Sequence, residues 1–513
     1  MTTTAQATRT QLSSRSFVES FSANVRRFPD APALAWRGDP VSYRELNDRA
    51  LHARAQLTAA AIGAAPVGLR CPKSPDSIAL VLACLMDQRS FLLPSTTLPE
   101  HTLQELFLHA GCTGVLTAPG PSPHSYSWAA LPGAARTGRN RGVADRAQEF
   151  SPDPEAVTFM LTTSGSTGLP KIVPLSEGAV DRFTDWAGAQ FDLRPGRSVL
   201  NFSPLNFDLC LLDIWATLKH GGCVVLVEPS RATSGEYLRD LLIRHEVELV
   251  QAVPMFYQLL AQLNAAAFGS VRHAVITGDS IAPRCLAQVP GMFPQARLYN
   301  LYGCTETNDS LLHEIDPTDL PTGAMPLGDP LPGVRALLVD EDGTIQNGPG
   351  IGELYVWTPF QTYGYLGLPN NESRFVAHPT GVDDLRYFRT GDLVRRHEDG
   401  SLTLEGRKDF QVKVRGVRTS IEQVEQVLHR HPDISEVAVV AVPDPVAGHL
   451  LHAETRRVPG STINSLLLRR FCADHLSLTA VPSTFRIADD PLPRTSTGKI
   501  DRHLVARLHR SEN

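Results

Sequence analysis

The chain has 513 residues, more than a single hydrophobic core usually supports, so we expect two or more domains. Its net charge of -6 argues against a nucleic-acid-binding protein, which would usually carry a basic surface. The eight cysteines form no C-x-x-C pair and no apolar run is long enough to span a bilayer, so we expect a cytoplasmic protein with reduced thiols and no membrane partner.

Helical and strand patterns alternate along the chain up to about residue 330. The apolar spacing predicts helices over residues 17–27, 43–62, 77–85, 211–218 and 238–245, with Ser77 as the cap of the third. Short apolar runs between them predict strands at residues 91–94, 199–202, 224–227, 249–253 and 271–277. Such alternation is typical of α/β sheets.

Beyond Pro330 the pattern changes to short strands separated by turns, as at residues 336–339 and 352–356. This change predicts a β-rich subdomain, and a boundary follows at residues 406–409. We therefore expect an α/β protein. Its large N-terminal domain (residues 16–405) would hold stacked α/β sheets and the β-rich subdomain. A hinge at 406–409 would join it to a small, mobile α+β domain at residues 410–513.

A loop rich in hydroxyl groups and glycine follows a predicted buried strand at residues 156–161. Its candidate ligand-binding residues are Thr163, Ser164, Gly165, Ser166, Thr167, Gly168 and Lys171. Glycines let backbone N–H groups turn inward and hydroxyls add donors, so this composition suits a polyphosphate. An ordinary Ser/Thr/Gly surface loop is the alternative, and the order of residues excludes a Walker A loop. The strand before the loop and the lysine after it favour phosphate.

Four further stretches follow this loop in a fixed order: residues 300–307 (NLYGCTET), 389–393 (RTGDL), 406–416 (GRKDFQVKVRG) and 492–501 (LPRTSTGKID). Together the five motifs resemble those of the adenylate-forming superfamily, which includes acyl-CoA synthetases, luciferases and amino-acid adenylation domains. The resemblance spans nearly the whole chain. It implies a two-step reaction in which ATP and a carboxylate give an acyl-adenylate, and a thiol then takes the acyl group.

The resemblance also implies roles for single residues. Lys171 and the hydroxyl-rich loop would hold the β- and γ-phosphates, Glu306 would bind Mg²⁺, and Thr305 would lie near the α-phosphate. Lys499 would stabilise the charge that develops at the α-phosphate. The adenosine would be held by Asn300, Tyr302, Asp392 and Arg407, and Asp409 would act as the hinge between the two half-reactions.

Asp208 resembles the aspartate of the amino-acid-activating branch, where it pairs with the substrate ammonium. The alternative is that Asp208 caps the helix that follows it. The substrate pocket implied by the resemblance consists of Asp208, Leu209, Leu212, Ala252, Val275, Thr277, Gly278, Leu301, Asp309, Ser310 and Lys499. Besides Asp208 and Lys499, Asp309 is the charged exception in a mostly apolar set. We interpret it as a partner for a polar or basic side chain, or for an amino group away from the α-carbon; satisfaction by protein donors is the alternative.

The chain ends fourteen residues after Lys499, with no carrier-protein segment. We therefore expect a free-standing ligase that loads an amino acid onto the phosphopantetheine arm of a separate carrier protein in natural-product biosynthesis. Two other hypotheses remain open. One is an acyl- or aryl-CoA ligase, and the other is a non-catalytic nucleotide-binding relative, against which Lys171, Glu306, Asp392 and Lys499 speak.

Overall fold

The computed structural model describes residues 16–60, 65–118, 126–131, 156–163, 169–263, 267–367, 373–408, 411–444, 447–493 and 500–510. Five sheets lie within these ranges: two large sheets, one five-stranded β-rich sheet, and two small sheets near the C-terminus. The predicted fold class, an α/β chain with a β-rich subdomain and a small α+β C-terminal part, is confirmed. The domain limits and the mobility of the C-terminal part stay predictions.

The first large sheet has six strands, in the order Ser127–Ala130, Gly114–Thr117, Val67–Arg70, Phe91–Leu92, Val157–Thr163 and Lys171–Ser176. Its inner strands are parallel, whereas the pair at each edge is antiparallel. Thr163 is paired in register with Lys171. The two strands that flank the hydroxyl-rich loop therefore form a hairpin at one edge of this sheet.

The second large sheet has nine strands, in the order Asp329–Pro330, Asn308–Ile315, Arg297–Cys304, His273–Thr277, Leu249–Ala252, Ser198–Asn201, Cys223–Leu226, Pro32–Trp36 and Asp39–Ser42. Its six central strands are parallel and largely buried, which explains why their sequences are almost continuously apolar. One hydrophobic core joins the two sheets through the helices between them, with Phe159, Val199 and Phe183 among its members.

The N-terminal part contains α-helices at Phe17–Arg27, Tyr43–Ala59, Pro75–Met86, Glu100–His109, Glu177–Gln190, Thr217–Lys219, Gly235–Arg244, Pro254–Ala261, Pro283–Leu286 and Val289–Met292. The prediction that Ser77 caps its helix is wrong. The helix begins at Pro75, and the Ser74 hydroxyl accepts the Ser77 N–H at 3.2 Å, because proline suits the first turn of a helix. The helix predicted at residues 211–218 begins as a π-helix, Leu211–Ala216.

The β-rich sheet contains Arg335–Val339, Gly350–Trp357, Arg386–Arg396 and Phe375–Ala377 in that order, and Leu402–Arg407 pairs with the long strand Arg386–Arg396. The strands run antiparallel to their neighbours. Within this sheet Asp392 lies directly opposite Arg407. The pairing therefore brings together two residues of separate sequence motifs.

The C-terminal part consists of a hairpin, Gln411–Val414 with Val417–Ser420, and a sheet of Ile434–Asp444, Gly448–Arg457 and Thr484–Ala488. Helices Ile421–His429 and Ser465–Ala473 share a core with this sheet, which includes Val424, Val439 and Leu468. Helix Arg502–Arg510 packs through Val505 onto Val440 in a separate small cluster. This part thus has its own hydrophobic core, as an independent domain needs.

Candidate active site

The predicted phosphate-binding hairpin places Lys171 beside an aromatic ring. Lys171 Nζ lies 4.5 Å from the centre of the Tyr365 ring, a cation–π distance. Thr163, its partner across the hairpin, is buried. Ser164, Gly165, Ser166, Thr167 and Gly168 lie outside the described residues, so their predicted contact with phosphate stays a prediction.

Glu306, the predicted Mg²⁺ ligand, lies in the turn between strands Arg297–Cys304 and Asn308–Ile315. The Tyr365 hydroxyl donates to Glu306 Oε1 at 2.7 Å, and Glu306 is only 1% exposed. The sequence analysis missed Tyr365. No local signal distinguishes it from other tyrosines, because its partners lie far away in sequence. Tyr365 thus links the predicted phosphate lysine to the predicted metal ligand.

The predicted adenosine residues meet where the nine-stranded sheet approaches the β-rich sheet. Asp392 forms an ion pair with Arg407 and accepts a hydrogen bond from the Tyr302 hydroxyl. Arg407 Nη2 also donates to the Thr390 carbonyl oxygen at 2.9 Å. Burial, followed by the charge of Asp392, raises the pKa of Tyr302 well above its ordinary value, so its hydroxyl keeps its proton. Three of the four residues therefore form one hydrogen-bonded unit.

Asn300, the fourth predicted adenosine residue, is held by the backbone. Its side-chain amide donates to the Pro326 carbonyl oxygen at 2.7 Å. One amide N–H is therefore used within the protein, whereas the side-chain oxygen of Asn300 is an acceptor of the kind that adenine recognition needs. Its contact with adenine stays a prediction.

Asp208 lies in the loop between strand Ser198–Asn201 and the π-helix Leu211–Ala216. Burial raises the pKa of its carboxyl group, and a hydrogen bond from the Thr305 side chain, the Leu209 N–H at 3.0 Å and the charge of Lys413 oppose this rise. Cys210 occupies the N-cap position of the π-helix, and no side chain makes a capping hydrogen bond there. The alternative that Asp208 caps this helix therefore finds no support. Thr305 connects the predicted substrate pocket to the predicted phosphate side.

Several predicted pocket residues lie on one face of the nine-stranded sheet. Val275 and Leu301 belong to the same core cluster as Leu212, and the Thr277 hydroxyl donates to the Leu301 carbonyl oxygen at 2.7 Å. Gly278 follows Thr277 with a φ of 80°, a conformation that favours glycine. The Ser310 hydroxyl lies 3.1 Å from that of Thr307.

Ala252 does not join this set. It is paired with Ile276 in the sheet and packs with it in the core cluster on the opposite face. Side chains of a strand alternate between faces, so the neighbouring Gln251 shares the face of Val275 instead. Gln251 Nε2 donates to the carbonyl oxygen of the predicted pocket residue Leu209 at 3.0 Å. On this strand it is therefore Gln251, and not the predicted pocket residue Ala252, that shares a face with Val275.

Two further carboxylates accompany Asp208. Burial raises the pKa of Asp309 well above its ordinary value, and the charges of Asp208 and Asp213 add to that rise. Within the described ranges, we find no hydrogen bond or ion pair to the Asp309 carboxylate, so the alternative that protein donors satisfy it gains no support there. Asp213, which the sequence analysis missed, is fully buried, and its pKa is raised to about 8 by burial.

The C-terminal part reaches the pocket through its hairpin. The positive charge of Lys413 lowers the pKa values of both Asp208 and Asp279 against the effect of burial. In the hairpin turn, a Cβ added to Gly416 would lie 2.4 Å from Val253 Cγ1. Such a close approach requires glycine. Lys499 and Asp409 lie outside the described residues, so their catalytic and hinge roles stay predictions.

Two kinds of site are absent from the described residues. No helix among them is both long and apolar enough to cross a bilayer. No group of three or more His, Cys, Asp or Glu side chains among them could hold a metal ion without other ligands. Glu306 is a buried carboxylate, an oxygen ligand of the kind that Mg²⁺ takes together with nucleotide phosphates and water.

Comparison with known proteins connects this site to a family. The AMP-binding enzyme model matches residues 21–366, and the AMP-binding enzyme C-terminal domain model matches residues 423–499. An L-proline–[L-prolyl-carrier protein] ligase from Pseudomonas fluorescens is 30% identical over 506 residues, which cover 94% of this chain and 97% of that protein.

Two other similar proteins differ in how much of their length is matched. Phenyloxazoline synthase MbtB from Mycolicibacterium paratuberculosis is 28% identical over 96% of this chain, which spans only 42% of that protein. The solved structure of the amide bond synthetase McbA from Marinactinospora thermotolerans superposes with a TM-score of 0.81 at 24% identity. The superposition covers 96% of this chain and 99% of McbA. This chain therefore shares its fold with McbA.

Proposed function

The chain belongs to the AMP-binding enzyme family of ATP-using, adenylate-forming enzymes, and from this premise we propose that it activates an amino acid. The product of the first step would be an aminoacyl-adenylate. In the second step the acyl group would pass to the phosphopantetheine thiol of a separate carrier protein. The prolyl-carrier-protein ligase, which this chain matches over 97% of its length, supports the proposal of a carrier-protein partner.

The observation that carries the amino-acid proposal is the environment of Asp208. Its carboxylate lies at the pocket beside Thr305, receives neutral hydrogen-bond donors and has a raised pKa through burial. Such a carboxylate gains most from a ligand that brings positive charge, because the ion pair restores what burial removed. An α-ammonium group supplies that charge, whereas an acyl chain does not.

We assign the chemistry of the first step to this chain's residues as follows. Lys171 and the preceding loop bind the β- and γ-phosphates, and Asp392 and Arg407 orient the ribose. A substrate carboxylate oxygen attacks the α-phosphorus, the bond to pyrophosphate breaks, and Lys499 stabilises the charge on the α-phosphate oxygens. Glu306 would hold Mg²⁺, which supplies charge neutralisation at the phosphates when it is bound.

In the second step the carrier thiol attacks the acyl carbonyl carbon. The thiol loses its proton, the new thioester bond forms, and AMP leaves with the electron pair of the broken C–O bond. We propose that the hairpin carrying Lys413 lies beside the substrate pocket during one of these two steps. The reason is that the charge of Lys413 lowers the pKa of Asp208 against the effect of burial. Rotation of the C-terminal part at residues 406–409 would separate the two steps.

The class of amino acid follows from Asp309. We propose a substrate with a polar or basic side chain, or with its amino group away from the α-carbon. The reason is that Asp309 has a raised pKa, two acidic neighbours and no described donor. A neutral aliphatic side chain would leave this carboxylate buried without compensation.

The test is exchange of labelled pyrophosphate into ATP with a panel of proteinogenic and β-amino acids, followed by loading of candidate carrier proteins. We expect exchange with an amino acid that carries a second polar or cationic group. Exchange with fatty or aromatic acids that lack an amino group, together with transfer to CoA, would establish the alternative of an acyl- or aryl-CoA ligase. Unchanged exchange in Lys499→Ala would contradict the mechanism.

A further inference from the structure

Lys73 is a buried cation that the proposed mechanism does not use. It lies between strand Val67–Arg70 of the six-stranded sheet and helix Pro75–Met86, and it is 7% exposed. Its Nζ donates to the carbonyl oxygens of Asn201 at 3.2 Å and Phe202 at 3.1 Å. Lys73 therefore ties the six-stranded sheet to the end of a strand in the nine-stranded sheet.

A buried ammonium is costly, and most buried lysines are compensated by a carboxylate in direct contact. No such contact is found for Lys73 within the described ranges, where its two acceptors are neutral carbonyl groups. These carbonyls mark the point at which strand Ser198–Asn201 ends and the loop towards Asp208 begins. The cost of burying the Lys73 ammonium is therefore offset by two carbonyl groups. They lie at the start of the segment that carries Asp208, the residue predicted to bind the substrate ammonium.

Side-chain hydrogen bonds continue from this point to the pocket. Asn201 Nδ2 donates to Asp213 Oδ2 at 3.1 Å, and Gln251 Nε2 donates to Asp213 Oδ1 at 3.0 Å. Gln251 Nε2 also donates to the Leu209 carbonyl oxygen, and the Leu209 N–H donates to Asp208 Oδ1 at 3.0 Å. Lys73, Asn201, Asp213 and Gln251 are buried, so water does not compete for these bonds.

The local backbone gives a second reason to connect this network with the pocket. Asp213 lies on the π-helix Leu211–Ala216, which begins two residues after Leu209. Helices of this kind are rare and frequently occur at functional sites, where the extra residue per turn redirects side chains. Here the π-helix turns Asp213 towards Asn201 and Gln251.

We propose that Lys73 is a positioning residue for the carboxylate-substrate pocket. It holds the chain at Asn201 and Phe202, and the network through Asp213 and Gln251 holds Leu209. The segment with Asp208 is thereby fixed at both ends. Lys73 does not touch substrate or ATP in this proposal. The inference rests on the proposed function, since it assigns the pocket to the carboxylate substrate.

The test uses the full chain and the best carboxylate found in the pyrophosphate-exchange panel, whatever its class. In Lys73→Met we expect the KM for that carboxylate to rise about tenfold or more, because a displaced pocket loop weakens binding. The KM for ATP should stay within about twofold of wild type, since the described hydrogen bonds from Lys73 lead to Leu209 and not to Asp392. If Lys73 served only overall stability, its substitution would not change the KM for the carboxylate and the KM for ATP by different factors.

Lys219→Met is the matched control. Lys219 is also buried, but its Nζ contacts Asp185 at 2.7 Å and Asp181 at 3.1 Å on helix Glu177–Gln190. We expect this variant to lower the melting temperature and to leave both KM values within about twofold. Equal rises of both KM values in Lys73→Met, or a rise of the carboxylate KM in Lys219→Met, would overturn the proposal.

Asp213→Asn tests the same network if Lys73→Met does not fold. It keeps the size of the side chain and should reproduce the selective rise in the carboxylate KM; an unchanged KM would count against the proposal. Failure of the proposed function gives a different result. If the panel identifies an acyl or aryl acid, the amino-acid proposal is wrong, yet the split between the two KM values in Lys73→Met still decides the role of Lys73.

Discussion

The predicted nucleotide side and the predicted substrate pocket use carboxylates in opposite ways. On the predicted nucleotide side, Asp392 is ion-paired with the positively charged Arg407. In the pocket, Asp208 and Asp213 receive only neutral donors directly, and Asp309 has no described one.

This difference indicates what each side is prepared to bind. A carboxylate held by an arginine keeps its charge and its geometry, and it can accept from the neutral hydroxyls of a ribose without needing further charge. Burial raises the pKa of Asp309, the charges of Asp208 and Asp213 add to that rise, and a ligand ammonium would relieve the repulsion. The selectivity for substrate should therefore depend on the pocket carboxylates, and ATP affinity on the paired ones.

The largest expected effect is that of Asp208→Asn. We expect the amino-acid kcat/KM in pyrophosphate exchange to fall about 100- to 1,000-fold, because the ammonium loses its charged partner. The KM for ATP should change little. Asp181→Asn is a control of similar kind, since Asp181 also has a pKa raised by burial but pairs with Lys219 away from the pocket. Equal activity of Asp208→Asn and wild type would contradict the ammonium role.

The pH dependence of stability should reveal Asp213. Its pKa is about 8 in the folded chain against 3.8 for the free side chain, so the unfolded chain loses this proton first. The contribution to stability is complete below about pH 4 and is lost as pH rises to about 8. Between pH 5 and pH 8 the wild type should lose about 3 kcal/mol of unfolding free energy relative to Asp213→Asn. The unfolding free energies of wild type and Asp213→Asn are measured by urea unfolding. If their difference is the same at every pH, Asp213 is ionised in the folded chain.

On the predicted nucleotide side, Asp392→Asn should raise the KM for ATP about 10- to 100-fold, because the ion pair between Asp392 and Arg407 is lost. The KM for the carboxylate substrate should stay within about twofold. Glu353→Gln is the control: Glu353 is also buried and pairs with Arg389 at 2.8 Å in the same sheet. It should lower stability similarly without a selective effect on ATP. If both variants change the KM for ATP and the KM for the carboxylate by the same factor, the predicted difference between the nucleotide side and the substrate pocket is wrong.

The smallest expected effect is that of Asp309→Asn. We compare the kcat/KM for the best amino acid with that for its isostere without the second polar group. The ratio of these two values should be about tenfold lower in the variant than in wild type. Asp309→Ala should reduce this discrimination further, since it removes the side-chain acceptor as well as the charge. Unchanged preference in both variants would mean that Asp309 takes no part in choosing the substrate. The two isosteric substrates serve as each other's control.

Local sequence patterns were sufficient for the fold class and the reaction class. The strand, the hydroxyl-rich loop and Lys171 are recognisable as a predicted phosphate site because they follow one another in sequence, and the alternation of helices and strands indicates an α/β fold. The ordered motifs then placed the chain in the adenylate-forming superfamily, which the family comparison bears out. Errors of up to three residues arose where two local signals competed, as at Ser74 and Ser77.

The amino-acid sequence by itself thus determined the family, the general reaction and the chain order of the candidate site. Only the tertiary structure decided which side chains meet. Strand pleating placed Gln251, and not Ala252, beside Val275, and contacts between distant segments brought Tyr365 to Glu306 and Lys73 to Asn201. The physical reason is that motif spacing specifies one loop at a time, whereas contacts between sheets depend on strand register and on burial that no single segment encodes.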